Sequence, residues 1–297
     1  MKLLAIDGNS IVNRAFFGIR PLSGPDGTPT NAIYGFLSMV DRLKNEIHPD
    51  MIAVAFDVHQ PTFRHEVYDE YKAGRNPMPD ELRVQIPLLK DMLRDFGIPV
   101  LECPGYEADD ILGTLSRRCM ESGDECYLYT GDRDSFQLIS DWVYVCFPKS
   151  SPTGTQNIMY DKARIAEEFG GLSPSQLIDV KGLQGDSSDN ITGVIGIGPK
   201  TAVSLIAKYG SINNIYDNLD NLPESEKLRT KLRNGKEDAF FSKMLGTICC
   251  DAPIGVCLDD LHPNRPDMNA VYDDLSSLGL NRFIQSWGIE REEVEIE

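Results

Sequence analysis

The 297 residues suffice for one large α/β domain, or for a catalytic core with a smaller satellite, and exclude a small stapled scaffold. Hydrophobic residues at 41% and charged residues at 25% are globular proportions, and no apolar run approaches the roughly 18 to 20 residues of a membrane helix, which excludes a membrane-spanning or collagenous chain. The formal net charge of −17 argues against a nucleic-acid partner until its distribution is read. Residues 251–297 hold 11 acids against 3 basic residues, and residues 1–250 hold 35 against 26. Nine of those 35 belong to the motifs below; with cations neutralising the nine, the remaining body is balanced and can carry a local basic surface.

The start, Met1 to Asp7, has no charged n-region, long apolar h-region and cleavage site in succession, so a cytoplasmic protein is expected. The seven cysteines include no C-x-x-C pair, and the four histidines show no i, i+4 pairing. Reduced, mostly buried thiols and no zinc site follow.

In chain order, Lys2 to Ile6, Met51 to Phe56 and Cys126 to Tyr129 read as buried strands, and Thr30 to Ile47, Asp80 to Phe96 and Ala108 to Met120 as amphipathic helices. Trp142 to Phe147 is a further strand, Pro148 to Gly154 is turn-rich, and helices follow from about Asp161. The expected architecture is α/β, a mostly parallel central sheet flanked by helices over residues 1–180, with a helical portion over 181–297. The acidic end, Glu290 to Glu297, is either a frayed tail or the start of a linker.

The candidate chemistry lies where the strands end. The first runs into Asp7-Gly8-Asn9-Ser10, the second into Asp57, the third into Gly131-Asp132-Arg133-Asp134. Parallel strands share one carboxyl edge, the ligand edge of open α/β folds. Glu107-Ala108-Asp109-Asp110 opens a helix whose N-terminus offsets negative charge, and the three-residue spacing of Glu107 and Asp110 turns both much the same way. Each motif alone also reads as a cap or a turn. Together their carboxylates repel unless cations compensate. Gly185-Asp186-Ser187-Ser188-Asp189-Asn190 brings the acids to nine, which suggests two hard cations, the apparatus for in-line attack by water on a phosphodiester. Directly after it, Gly193-Val194-Ile195-Gly196-Ile197-Gly198-Pro199-Lys200-Thr201 is a glycine hairpin entering a helix, suited to a phosphate through backbone N–H groups, the helix dipole and Lys200. Its spacing is neither a Walker loop nor a dinucleotide fingerprint.

These motifs, with Ala55-Phe56-Asp57, Tyr71-Lys72-Ala73-Gly74-Arg75 and Thr130 to Asp134, occur in an order that resembles the 5′-nuclease (flap endonuclease) family across about residues 2–285. The similarity is greatest to the 5′→3′ exonuclease domain of bacterial DNA polymerase I and to free-standing bacterial flap endonucleases. The resemblance implies a PIN-like core with an arch or gateway around residues 70–85, and a helix-three-turn-helix at about 185–210 in a DNA-binding C-terminal portion. It implies that Asp7, Asp57, Glu107, Asp109, Asp110, Asp132, Asp134, Asp186 and Asp189 hold two Mg²⁺, with Mn²⁺ able to substitute. Lys72, Arg75, Asp7 and Asp110 are the implied catalytic groups. Tyr71, Lys72 and Arg75 at the gateway, and Gly193, Gly196, Gly198, Lys200 and Thr201 at the hairpin, are the implied DNA contacts, with a K⁺ at the hairpin carbonyls. Thr192 stands where the family commonly has proline, and Pro199 occupies a variable position; neither removes a carboxylate.

The expected function is therefore a monomeric, structure-selective 5′→3′ exonuclease and 5′-flap endonuclease acting on DNA flaps, nicks and 5′ ends, with RNA primer strands as further substrates, at the nucleoid and alongside DNA polymerase I. Okazaki-fragment primer removal and repair are its expected settings. A PIN-type ribonuclease would not require the segment 185–202, and an aspartyl-nucleophile phosphatase would need an acid where Asn9 stands. A DNA-junction binding module with a vestigial site is the non-enzymatic alternative.

Overall fold

β1 (Lys2–Asp7) and β2 (Met51–Ala55) are buried along nearly their whole length, the pattern of central strands covered on both faces. In the computed structural model, which describes residues 1–151 and 154–291, they pair in parallel within a six-stranded sheet. With β3 (Val100–Leu101), β4 (Glu125–Tyr129), β5 (Val143–Ser151) and β6 (Gly154–Tyr160) the order is β3-β2-β1-β4-β5-β6, and only β6 runs antiparallel. The mixed, mostly parallel sheet with a helical C-terminal part is the architecture the sequence suggests. β5 runs past the expected boundary, taking in Pro148 to Ser151. Proline is tolerated because the pairing with β4 ends at Cys146. Positions 152 and 153 of the expected turn, and 292–297 of the acidic end, lie outside the described residues.

Two further differences have local causes. The expected helix Asp80 to Phe96 is broken into Asp80–Arg83 and Gln85–Asp95. Pro87 has no N–H to give the Arg83 carbonyl, so the ladder cannot run through. The fully buried Gln85 at the break accepts from the N–H groups of Ala32 and Ile33 (2.8 and 3.2 Å), satisfying free donors at the start of the helix Asn31–Ile47. The helix Gly8–Gly18, not among the elements expected from the sequence, starts directly after β1 because Asp7 caps it, accepting from Ser10 N–H at 2.9 Å.

The sheet alternates cleanly between two cores. Leu4, Ile6, Ile52 and Val54 face the helices Asn31–Ile47 and Gln85–Asp95, while Leu3, Ala5, Met51 and Ala53 face the helix Ala108–Ser122. A third core, from Leu172 to Ala239, belongs to the helical part alone. The chain then returns: Ile248 to Leu261 join the second core, and the helices Met268–Ser277 and Asn281–Trp287 join the first. The two-part division at residue 180 contains no such return. Among the described residues no helix is long and apolar enough to cross a membrane.

The return depends on a close approach at Gly113, inside the helix Ala108–Ser122. A Cβ there would sit 2.6 Å from Ile248 Cγ2 and 3.0 Å from the Cys249 carbonyl oxygen. Gly113→Ala gains roughly 1 kcal/mol of helix propensity. The overpacking costs about 1–3 kcal/mol, so a net loss in urea-unfolding stability is expected; a variant as stable as the parent would show that this contact yields freely.

Candidate metal centre and nucleic-acid interface

Asp7 ends β1, Asp57 follows β2, Glu107 is the N-cap of the helix Ala108–Ser122, and Asp132 is the N-cap of the 3₁₀ turn Arg133–Leu138 after β4. Parallel register, with Asp7 opposite Ala55, sets these ends on one rim. Three of these carboxylates are held by backbone or hydroxyl donors at the rim. Asp7 accepts from Ser10 N–H and from Thr130 Oγ1 (2.9 and 2.8 Å), Asp57 from Ala108 N–H (2.7 Å), and Asp132 from Asp134 N–H (2.9 Å).

Burial raises the Asp7 carboxyl to about 7 against the pull of Ser10, with repulsion from Asp57 and Asp132 adding to it. Asp109 is pushed well above the usual carboxylate range by burial, then by Asp132 and Asp7. These acids face one another with less compensation than their charge requires.

A second group lies beside the first. One carboxylate oxygen each from Asp134, Asp186 and Asp189 lies within 4.8 Å of the others. Lys181, in the helix Gln176–Gln184, pairs with both Asp134 and Asp186, the latter at 2.7 Å. Burial raises Asp134 to about 6 despite this lysine. For Asp186 burial also pulls upward, but Lys181 and the Ser188 hydroxyl and N–H outweigh it and hold the carboxyl at about 2. An all-carboxylate set with buried, mutually repelling members fits hard divalent cations and not soft ones.

Asp110 does not join either group, which corrects its expected role as metal ligand and catalytic acid. It is fully buried, and both oxygens are taken: Oδ1 by Arg64 and Cys249 N–H (2.8 Å each), Oδ2 by Arg64 at 2.8 Å and Glu107 N–H at 3.0 Å. The spacing of three residues that suggested a shared face with Glu107 is a capping box.

The gateway residues fold directly over the acids. Lys72, whose φ is +58°, places Nζ 2.5 Å from Glu107 Oε1, and Arg75 pairs with Asp189 at 2.5 Å. Tyr71, expected at a DNA-contacting surface, is instead 4% exposed; its ring packs with Ile191 and Leu245 and its hydroxyl donates toward Glu107 and Asp189 (3.1 and 3.3 Å). The apolar ring is better buried than wet, and its one polar atom bridges the two acid groups.

The hairpin lies after the second group, between the helices Gln176–Gln184 and Pro199–Tyr209. Gly196, Gly198 and Lys200 are exposed, Thr201 partly so, and Ile195 projects from the tip at 77% exposure. Gly193 departs from its expected part in phosphate binding. Its N–H donates to Ser242 Oγ (3.0 Å), and its φ of +63° lets it pass against Gly185, where a Cβ would lie 2.3 Å from a backbone nitrogen. The Gly196 carbonyl accepts from Lys231 Nζ at 2.8 Å.

Sequence reasoning missed Arg64 and Lys181. Lys181 stands five residues before Asp186 and carried a weak signal; Arg64 meets partners 43 to 183 residues away and carried none.

Residues 2–170 match the family model described as 5′-3′ exonuclease, N-terminal resolvase-like domain, and residues 172–269 match 5′-3′ exonuclease, C-terminal SAM fold. The chain is 39% identical to the 5′-3′ exonuclease of Aquifex aeolicus over 96% of its own length and 95% of that protein's. It is 42% identical to DNA polymerase I of Caldicellulosiruptor bescii over 97% of its length, spanning about a third (34%) of that longer protein. The T5 5′-exonuclease solved with bound zinc superposes with a TM-score of 0.68 at 26% identity, covering 94% of this chain and 100% of that one. With both family models matched in order, and the acid groups drawn from Asp7 to Asp134 in the first range and from Asp186 and Asp189 in the second, the chain belongs to the 5′-3′ exonuclease family.

Proposed function

We propose that this chain is a structure-selective DNA 5′-nuclease, hydrolysing phosphodiesters at 5′ ends, nicks and 5′-flap junctions. The observation that carries the reading is the convergence of eight carboxylates, from β1, β2, β4, the helix N-terminus at Glu107 and the segment 186–189, on a rim flanked by Lys72, Arg75 and the exposed hairpin lysine Lys200. Asp7, Asp57, Glu107, Asp109 and Asp132 would hold one Mg²⁺ and Asp134, Asp186 and Asp189 a second, one or two acids directly on each ion and the others through its bound waters, with Mn²⁺ as substitute. Such ions supply Lewis-acid stabilisation to the attacking and leaving oxygens of an in-line displacement.

The chain's own cations do the rest. Lys72 and Arg75 stabilise the charge of the scissile phosphate, and Lys200 and Thr201 at the helix N-terminus hold the duplex backbone with Gly196 and Gly198. Lys231 already supplies a cation to the Gly196 carbonyl, so a K⁺ would share that oxygen. Contacts of this kind read backbone and shape, not base sequence. The proposed setting is primer removal and repair in the cytoplasm, at the nucleoid, by a monomer acting alongside DNA polymerase I, with RNA primers among the strands cut.

A labelled 5′-flap duplex should be cut in Mg²⁺ and left intact in chelator, with a matched 3′-flap control left intact in both. Tight binding without cutting in Mg²⁺ or Mn²⁺ would reduce the protein to a junction-binding module. Lys72→Ala should lower turnover by about 10²-fold or more while flap affinity changes little; a pure affinity loss would move Lys72 from catalysis to docking.

A pH effect follows from the raised acids. With Asp7 near 7 and Asp134 near 6, the folded state holds protons that the unfolded chain has released above about 4, so these groups make the metal-free fold more stable as pH falls from 8 toward 5. Thermal midpoints in chelator should rise over that interval, and saturating Mg²⁺ should flatten the rise by competing with the protons. A fall in chelator would contradict the raised values.

A further inference from the structure

Arg64, in the short helix Phe63–Val67, is 2% exposed, and all five of its N–H donors are used. Nε donates to the Leu245 carbonyl (2.9 Å), Nη1 to Asp110 Oδ2 and Glu107 Oε2 (2.8 and 3.3 Å), Nη2 to Asp110 Oδ1 and the Thr247 carbonyl (2.8 Å each). The two carbonyls belong to the end of the helix Lys236–Gly246, whose unpaired acceptors a guanidinium satisfies. A second side chain reaches the same segment from the other acid group. Gln137, in the 3₁₀ turn that carries Asp134 and follows Asp132, donates to the Gly246 carbonyl and accepts from Ile248 N–H (3.0 Å each). Cys249 N–H then closes on Asp110. The segment Leu245 to Cys249 is thus fastened to both metal-binding elements, while its own helix holds the hairpin through Ser242.

We infer that Arg64 and Gln137 are positioning residues that set the carboxylate rim in register with the duplex-holding hairpin through the segment 245–249. Neither touches the reacting atoms. Arg64 acts on Glu107 and on the helix start bearing Asp109; Gln137 acts on the turn bearing Asp132 and Asp134. A lysine at position 64 keeps the charge but cannot form the bidentate pair and the two carbonyl bonds together.

The inference rests on the nuclease reading for its activity arm, and a second arm is independent of it. Arg64→Lys and Gln137→Ala, checked for native circular dichroism, are titrated with Mn²⁺ in the absence of DNA and assayed on a 5′-flap duplex. Each is expected to raise the Mn²⁺ half-saturation and lower turnover at saturating DNA, by about 10–100-fold, with binding of the same duplex in chelator unchanged. In a cycle with Ser242→Ala, the turnover losses of Arg64→Lys are expected to be non-additive. Folded variants with the parent's Mn²⁺ curve and turnover would overturn the inference, as would additive losses in the cycle. A purely structural role would lower the melting midpoint and leave the Mn²⁺ curve in place. If Arg64→Lys fails to fold, Gln137→Ala decides; if the parent cuts no substrate, the nuclease reading fails and the Mn²⁺ titration still decides.

Discussion

The structure is organised around like charges gathered at the carboxyl edge of a parallel sheet. β1 and β2 are buried on both faces and β4 fully on one, so the acids at or just past their ends gather on the rim, and they arrive partly desolvated. Carboxylates so placed repel unless each finds a donor or a cation. The molecule meets this requirement unevenly. Asp186 is overcompensated, by Lys181 and Ser188, and stays near 2; Asp7 and Asp109 are undercompensated and rise. Unevenness of that sort is what attracts a divalent ion, because the gain on binding is largest where the protein's own cations leave charge unbalanced.

The same constraint explains why an arginine lies in the core. A buried charge is costly, and removing one partner of a buried pair typically costs about 3–5 kcal/mol. Arg64 is tolerable because Asp110 meets it bidentately and two helix-end carbonyls and Glu107 take the remaining donors. The chain's return to the sheet after Thr247 places those carbonyls there, and Gly113 leaves room for it. Packing and electrostatics are therefore not separable at this point: the contact between Gly113 and Ile248 brings the acceptors that make the ion pair affordable.

Strand ends were legible in the sequence because β1, β2 and β4 are short apolar runs closed by acids, and parallel pairing then puts Asp7, Asp57 and Asp132 together without further information. The motif at 185–190 was legible for the same reason that it is local. What failed was anything that required knowing which groups face which. Asp110 looked like one more ligand beside Glu107, since three-residue spacing cannot tell a shared face from a capping box whose second member turns inward. Gly193 looked like its neighbours in the hairpin, though Ser242, 49 residues later, takes its N–H. Tyr71 sat in a charged segment that reads as surface, yet its ring fills the gap between Ile191 and Leu245. The helix Gly8–Gly18 was hidden because Gly8, Asn9 and Ser10 are turn formers individually, and only the cap from Asp7 makes them a helix start.

Under the proposed function, the gateway cations serve two states of one site. In the protein alone, Lys72 and Arg75 neutralise Glu107 and Asp189, and Tyr71 ties the two acids together from beneath. Glu107 and Asp189 are among the carboxylates that would hold divalent ions, and an ammonium and a guanidinium released from them would have their charge free for an entering phosphate. The exchange needs no large motion of the core, because Lys72 and Arg75 lie in the turn-rich stretch between Tyr68 and Asp80, outside the regular elements. What must not move is the helix start at Glu107, and it is there that the five-donor contact of Arg64 is placed.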